Sequence, residues 1–174
     1  MKAKGEGEAQ REDRGASGGG VPGAMKGVVA VFDEDTSEAD VCAVTSVVRP
    51  DAIQLPLLPS KKWFSSDVSL WNTVHVGREG IAALAGRAGD ALHFDTSIAG
   101  LGGGTGRTFD WSALDGLERT RPLVLAGGLT PENVAEAVRR VRPDVVDVSS
   151  GVESAPGIKD AGKIAAFVRE VRGA

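Results

Sequence analysis

The sequence has one cysteine, Cys42, and two histidines among its 174 residues. A single cysteine excludes an internal disulfide and fits a reducing, cytosolic compartment. With so few sulfur and imidazole donors, no dedicated transition-metal site and no cofactor are expected. Long apolar runs are missing as well. None approaches the roughly 18 residues of a membrane span, and the N-terminus shows no signal-peptide core. Basic side chains are not in excess: a net charge of −4 and a pI near 5.2 argue against a general nucleic-acid or membrane-surface binder. What is present suits one domain, since 41% hydrophobic residues in a chain of this length can bury a sizeable core.

Residues 1–24 carry seven glycines, four basic and four acidic side chains, and almost nothing apolar. Such a segment cannot bury enough surface to offset its ordering entropy and reads as a disordered tail. Met25, at its end, is an alternative start of translation. Residues 25–174 read as the folded domain. Strand-like runs at Gly27–Phe32, Asp51–Leu55, Leu70–Val76, Ala91–Asp95, Leu123–Ala126 and Val145–Val148 alternate with helical or loop segments. Thr36-Ser37 caps a helix from about Glu38 to Val48, and Thr130 caps one with Pro131 at its first position. Glu79–Arg87 and Trp111–Leu117 are further helical segments, and Asp160–Val171 is an amphipathic closing helix. Gly100–Gly106 is a glycine loop, and Pro56–Ser66 is a poor helix where a helix is due. Alternation of this kind specifies a parallel sheet with right-handed crossovers. Six units are present, two short of a closed eight-stranded barrel.

The most informative stretch is Asp147-Val148-Ser149-Ser150-Gly151-Val152-Glu153. Two hydroxyls and a glycine stand where a buried strand must end, and short residues there turn backbone N–H groups toward an anion. Leu123-Val124-Leu125-Ala126-Gly127-Gly128 repeats the design one unit earlier. One such loop is an ordinary turn; two in consecutive units suggest a shared phosphate site, as after strands 7 and 8 of many TIM barrels.

Three passages resemble the phosphoribosylanthranilate isomerase family. Asp95-Thr96 with Gly103-Gly104-Thr105-Gly106-Arg107-Thr108-Phe109-Asp110-Trp111 resembles its sixth-strand loop. Leu125 to Val134, with Gly127-Gly128 and Thr130-Pro131-Glu132-Asn133, resembles its seventh loop and helix. Asp144 to Glu153, followed by Pro156-Gly157 and Lys159-Asp160, resembles its eighth strand and phosphate loop. The resemblance implies an incomplete TIM (β/α)8-type barrel with the first two units missing. It also implies an Amadori rearrangement of N-(5-phosphoribosyl)anthranilate to an aminodeoxyribulose phosphate in tryptophan biosynthesis. That chemistry needs an acid for the ring oxygen and a base for the C2 proton. By resemblance the acid is Asp95, Gly127, Gly128, Ser149, Ser150 and Gly151 hold the phosphate, and Asp147 contacts substrate. Asp110-Trp111 closes the preceding loop over the site or caps the following helix.

The sequence also departs from that pattern. The family's base is a cysteine in a Lys-x-Cys-Gly motif on the first strand, and no such motif occurs here. Cys42 falls on the apolar side of a helix and reads as a small core residue. The arginine for the anthranilate carboxylate is missing with the same units. The strand ends Gln54-Leu55-Pro56-Leu57 and Val31-Phe32-Asp33-Glu34 differ from the family's. His93 shares a strand face with Asp95 and is a candidate surrogate base, against the alternative of a buried histidine filling an aliphatic position. Asp33 and Glu34 are poorer candidates, because their charge would repel a phosphate. The alternative function is a catalytically impaired sugar-phosphate-binding barrel that needs a partner, either a second copy or a complementing N-terminal fragment, to cover its two open edges. Other phosphate-binding barrels, such as ribulose-phosphate epimerases or thiamin phosphate synthases, fit less well, because Thr105 to Trp111 speaks against them.

Overall fold

The computed structural model describes residues 27–56, 68–76, 89–96 and 110–174. The tail 1–24, the helix expected at 79–87, the glycine loop 100–106 and nearly all of 56–66 lie outside the described residues. The strands are Val29–Val31 (β1), Ala52–Leu55 (β2), Ser69–Val76 (β3), Ala91–Thr96 (β4), Leu123–Leu125 (β5) and Val145–Val146 (β6). They form one parallel sheet in strict chain order, each strand pairing with its predecessor and its successor. The sheet is open: among the described residues β1 pairs only with β2 and β6 only with β5. This is the parallel sheet expected from the alternation and the incomplete α/β barrel that the resemblance implies. A small antiparallel hairpin, Glu153–Ala155 (β7) and Ile158–Lys159 (β8), follows β6.

The helices are Glu38–Val48 (α1), Val134–Val141 (α2) and Ala161–Gly173 (α3). Ser37 caps α1 by accepting the Asp40 N–H at 3.2 Å, and Asp160 caps α3 by accepting that of Lys163 at 2.9 Å. Thr130 makes the cap expected of it, but the regular helix begins later than Pro131. Its hydroxyl accepts from Glu132 N–H at 3.2 Å while Asn133 Oδ1 accepts from Thr130 N–H at 2.8 Å, so Pro131–Asn133 forms a turn and α2 starts at Val134. Trp111–Leu114 is a 3-10 turn capped by Asp110, whose Oδ1 accepts the Ser112 N–H at 2.9 Å.

Alternation along the strands sends one set of side chains to the helices. Phe94, Leu123 and Leu125 pack there with Leu129, Val134, Ala137, Val141 and Phe167, and Ile53, Leu55 and Leu70 pack with Val41. Full burial of each large apolar side chain contributes about 1.5–3 kcal/mol. Of α1's residues only Val41 is fully buried. Cys42, one position further round the helix, is exposed. The core role expected for it is therefore wrong: α1 meets the sheet along a narrow stripe of Val41 and the half-buried Thr45.

Strand starts are fixed in pairs by aspartates. Asp51 Oδ2 accepts from Val28 N–H at 2.8 Å, Asp90 Oδ2 from Leu70 N–H at 3.0 Å, and Asp144 Oδ2 from Leu123 N–H at 2.8 Å. Each carboxylate stands just before an even-numbered strand and grips the start of the odd-numbered strand beside it. These charge-assisted bonds tie β1 to β2, β3 to β4 and β5 to β6.

Candidate active site

The opposite face of the sheet, away from the helices, carries the polar chemistry. The register aligns Thr73 with His93 and His93 with Val124, which in turn aligns with Val145; one step on, His75 aligns with Asp95. These side chains therefore share the inner face of the curved sheet. The expectation that His93 and Asp95 point the same way holds. They differ in depth, however: His93 is 1% exposed, whereas Asp95 is half-buried at the C-terminal end of its strand.

A cavity of about 320 Å³ opens at that end, lined by Asp95, by Ala126 to Leu129, by Asp147 to Gly151 and by Glu153. It gathers every residue assigned from sequence except His93. Gly127 and Gly128 adopt φ values of +82° and +66°, the left-handed region that L side chains rarely enter. Among the described residues no acceptor takes their N–H groups, while the Gly128 carbonyl is held by Asn133 Nδ2 at 3.0 Å. The second loop packs directly on the first. A Cβ at Gly151 would lie 1.8 Å from the Leu129 carbonyl oxygen, so only glycine permits this approach.

The strand expected at Val145–Val148 is shorter than its apolar run. Asp147 N–H still bonds Leu125 O at 2.8 Å, after which the chain turns into the Ser149 loop. That loop is braced by a residue that sequence reasoning did not single out. Lys159 Nζ reaches Ser149 O at 2.9 Å, Ser149 Oγ at 3.3 Å and Glu153 Oε1 at 2.7 Å. The Lys159 ammonium, with help from the Gly157 N–H, holds the Glu153 carboxyl below the ordinary glutamate range. The lysine thereby offsets a negative charge on the cavity lining. Its signal in the sequence was the basic residue at the end of the Pro156-Gly157 turn.

His93 is engaged on both sides. Its Nδ1 lies 3.4 Å from Thr73 Oγ1 and its Nε2 3.3 Å from Asp147 Oδ2. His75, also not singled out earlier, stands beside Asp95 with a buried Nδ1 that has no hydrogen-bond partner. The alternation that placed His93 places it too, since Trp71, Thr73 and His75 share a face. Asp33 takes no part: it accepts from the Thr36 hydroxyl, which pulls its carboxyl below the usual range.

A larger concavity of about 490 Å³ lies at the C-terminal end of α2, among Arg119, Arg139, Arg140, Arg142 and Trp111. There the Arg119 guanidinium caps the helix carbonyls of Val141 and Arg142, and Arg140 lies 3.5 Å from Asp115. Those contacts serve the helix end. No group of three or more His, Cys, Asp or Glu placed to hold a metal occurs among the described residues. No helix among them is long and apolar enough to cross a membrane.

Residues 18–170 match the family model for N-(5'-phosphoribosyl)anthranilate (PRA) isomerase. The chain is 36% identical over 162 residues to the N-(5'-phosphoribosyl)anthranilate isomerase of Erythrobacter litoralis, covering 88% of this chain and 77% of that one. It is 46% identical over 136 residues to that of Pseudomonas fluorescens, covering 70% and 64%. Among solved structures, the phosphoribosyl anthranilate isomerase of Thermotoga maritima superposes with a TM-score of 0.70 at 36% identity, covering 84% of this chain and 73% of that one. A phosphoribosyl anthranilate isomerase in complex with reduced 1-(o-carboxyphenylamino)-1-deoxyribulose 5-phosphate superposes with a TM-score of 0.66 at 33% identity, covering 84% and 71%.

Proposed function

This chain belongs to the N-(5'-phosphoribosyl)anthranilate isomerase family, and from that premise we propose that its cavity binds N-(5-phosphoribosyl)anthranilate and catalyses the Amadori rearrangement of tryptophan biosynthesis. The observation that carries the reading is one cavity holding both the glycine and serine loops and the half-buried Asp95. The phosphate lies against the N–H groups of Gly127 and Gly128 and the Ser149-Ser150-Gly151 segment. Asp95, at the end of its strand, gives its proton to the ribose ring oxygen, and the nitrogen lone pair drives C1–O cleavage to an open-chain iminium. Loss of the C2 proton then yields the enaminol, which ketonises to the product.

The test is the loss of substrate fluorescence with purified chain and with Asp95→Asn. A drop of about 10²–10⁴-fold in turnover, with the reduced product analogue still bound, supports the acid. Equal rates for the two proteins sink it.

A second reading concerns assembly. The open edges leave Val29, Val31 and Val145 exposed at 38%, 64% and 39%. One of the Thermotoga maritima structures derives from a dimeric enzyme. A second copy, or a fragment supplying the first units, would cover these edges, and the mass in solution reports it directly.

A further inference from the structure

Asp147 brings a carboxylate into the cavity that holds Asp95, and the third acid on the lining, Glu153, is tied up by Lys159 at 2.7 Å and the Gly157 N–H at 3.1 Å. The two stand on either side of β5: Asp95 lies within the last two residues of β4, and Asp147 follows β6. A sugar phosphate anchored on the loop after β5 therefore has its ring between two carboxylates. The rearrangement needs one group to give a proton and another to take one, and among the described residues Asp95 and Asp147 are the two cavity carboxylates without a lysine partner.

The pair is not symmetric. Asp147 has 49% of its side chain exposed, while the His93 behind it has 1%. At 3.3 Å from Asp147 Oδ2, His93 Nε2 donates and the carboxylate accepts, which leaves Nδ1, at 3.4 Å, as the acceptor for the Thr73 hydroxyl. Both imidazole nitrogens are thus occupied inside the sheet. His93 cannot reach a sugar carbon, and any effect it has on catalysis passes through Asp147.

We infer that Asp147 is the general base of the reaction in this chain, and that His93, fixed by Thr73, is a positioning residue that aims the Asp147 carboxylate. The inference rests on the isomerase reading above. After Asp95 has protonated the ring oxygen, Asp147 takes the C2 proton. The C–H pair becomes the C1–C2 double bond, and the iminium π pair returns to nitrogen. Ketonisation moves one proton from the C2 hydroxyl to C1 through water. The proton on Asp147 leaves to solvent and Asp95 regains one, so the net change is an isomerisation.

The test measures substrate turnover and, by calorimetry, binding of reduced 1-(o-carboxyphenylamino)-1-deoxyribulose 5-phosphate. Asp147→Asn is expected to bind the analogue within about fivefold of wild type and to lose turnover by about 10²–10⁴-fold. Asp147→Ala is expected to regain activity with added formate, a small carboxylate that can enter the vacated space. His93→Leu is expected to lower kcat with little change in KM, and His93→Gln, which keeps a donor near the Nε2 position, is expected to recover part of it. Turnover by Asp147→Asn within threefold of wild type overturns the base, as does the absence of formate rescue. Equal losses in His93→Leu and His93→Gln overturn the positioning role. A wild-type chain that binds the analogue without turnover defeats this inference and leaves the phosphate site standing. One that does not bind defeats the isomerase reading itself.

Discussion

Gly151 and Leu129 meet backbone to backbone: a Cβ on Gly151 would sit 1.8 Å from the Leu129 carbonyl oxygen and 2.9 Å from its carbonyl carbon. The contact joins the loop after β5 to the loop after β6, and so sets the spacing of the two loops that line the cavity. Gly151→Ala must push the loops apart. Overpacking of this kind costs about 1–3 kcal/mol. The expected result is a lower melting temperature together with weaker binding of inorganic phosphate. An unchanged melt would show that the loops are not in contact.

Gly127 and Gly128 should each resist substitution for a different reason, which is backbone conformation. Their φ values of +82° and +66° cost an L-residue about 1–2 kcal/mol. Gly128→Ala is expected to lose stability by that amount and to raise KM more than it lowers kcat. Gly128→Asn, which tolerates the left-handed region better, is expected to fall between Ala and wild type in denaturant melts.

The Lys159 brace makes a pH prediction. The folded protein keeps Glu153 ionised to lower pH than the unfolded chain does, chiefly through Lys159. The resulting stabilisation is fully present above the unfolded-state value, about 4.3 for glutamate, and is lost as pH falls through the lower folded-state value. Lys159→Met is expected to flatten the acid limb of a stability-against-pH curve. It is also expected to raise KM for the phosphorylated substrate, because Ser149 loses its anchor. A curve identical to wild type between pH 3 and 5 would count against the brace.

Cys42 lies on the exposed side of α1. A thiol reagent is expected to modify it stoichiometrically in the native protein, without unfolding. Cys42→Ser should change stability by no more than about 0.5 kcal/mol and leave turnover unaltered. Slow labelling that requires denaturant would restore the buried role.

Most of the framework was legible because each signal was local. Short apolar runs gave the strands, Ser37 and Asp160 gave helix starts, and the period of two put His93 and Asp95 on one face. Failures occurred where a contact from elsewhere decided the outcome. Cys42 satisfied the apolar pattern of its helix, yet the sheet meets α1 only along Val41 and Thr45. Thr130 makes the cap expected of it and Asn133 Oδ1 accepts its N–H in return, but the regular helix starts only at Val134, beyond Pro131. His93 was visible as an inward histidine. Its contact with Asp147, 54 positions away in the chain, depends on a register that local patterning does not encode. Lys159 belonged to a motif, but its three acceptors could be found only in space.

The three aspartate ties at Asp51, Asp90 and Asp144 give the sheet a natural increment. Each tie closes a two-strand module whose start is secured from within, so a strand added or removed singly would leave one opening N–H ungripped. Growth or truncation of such a sheet is least disruptive in steps of two. The six described strands are three whole modules, and an eight-stranded ring is four. A fourth module could join at the β1 edge without redrawing any pairing among the described strands.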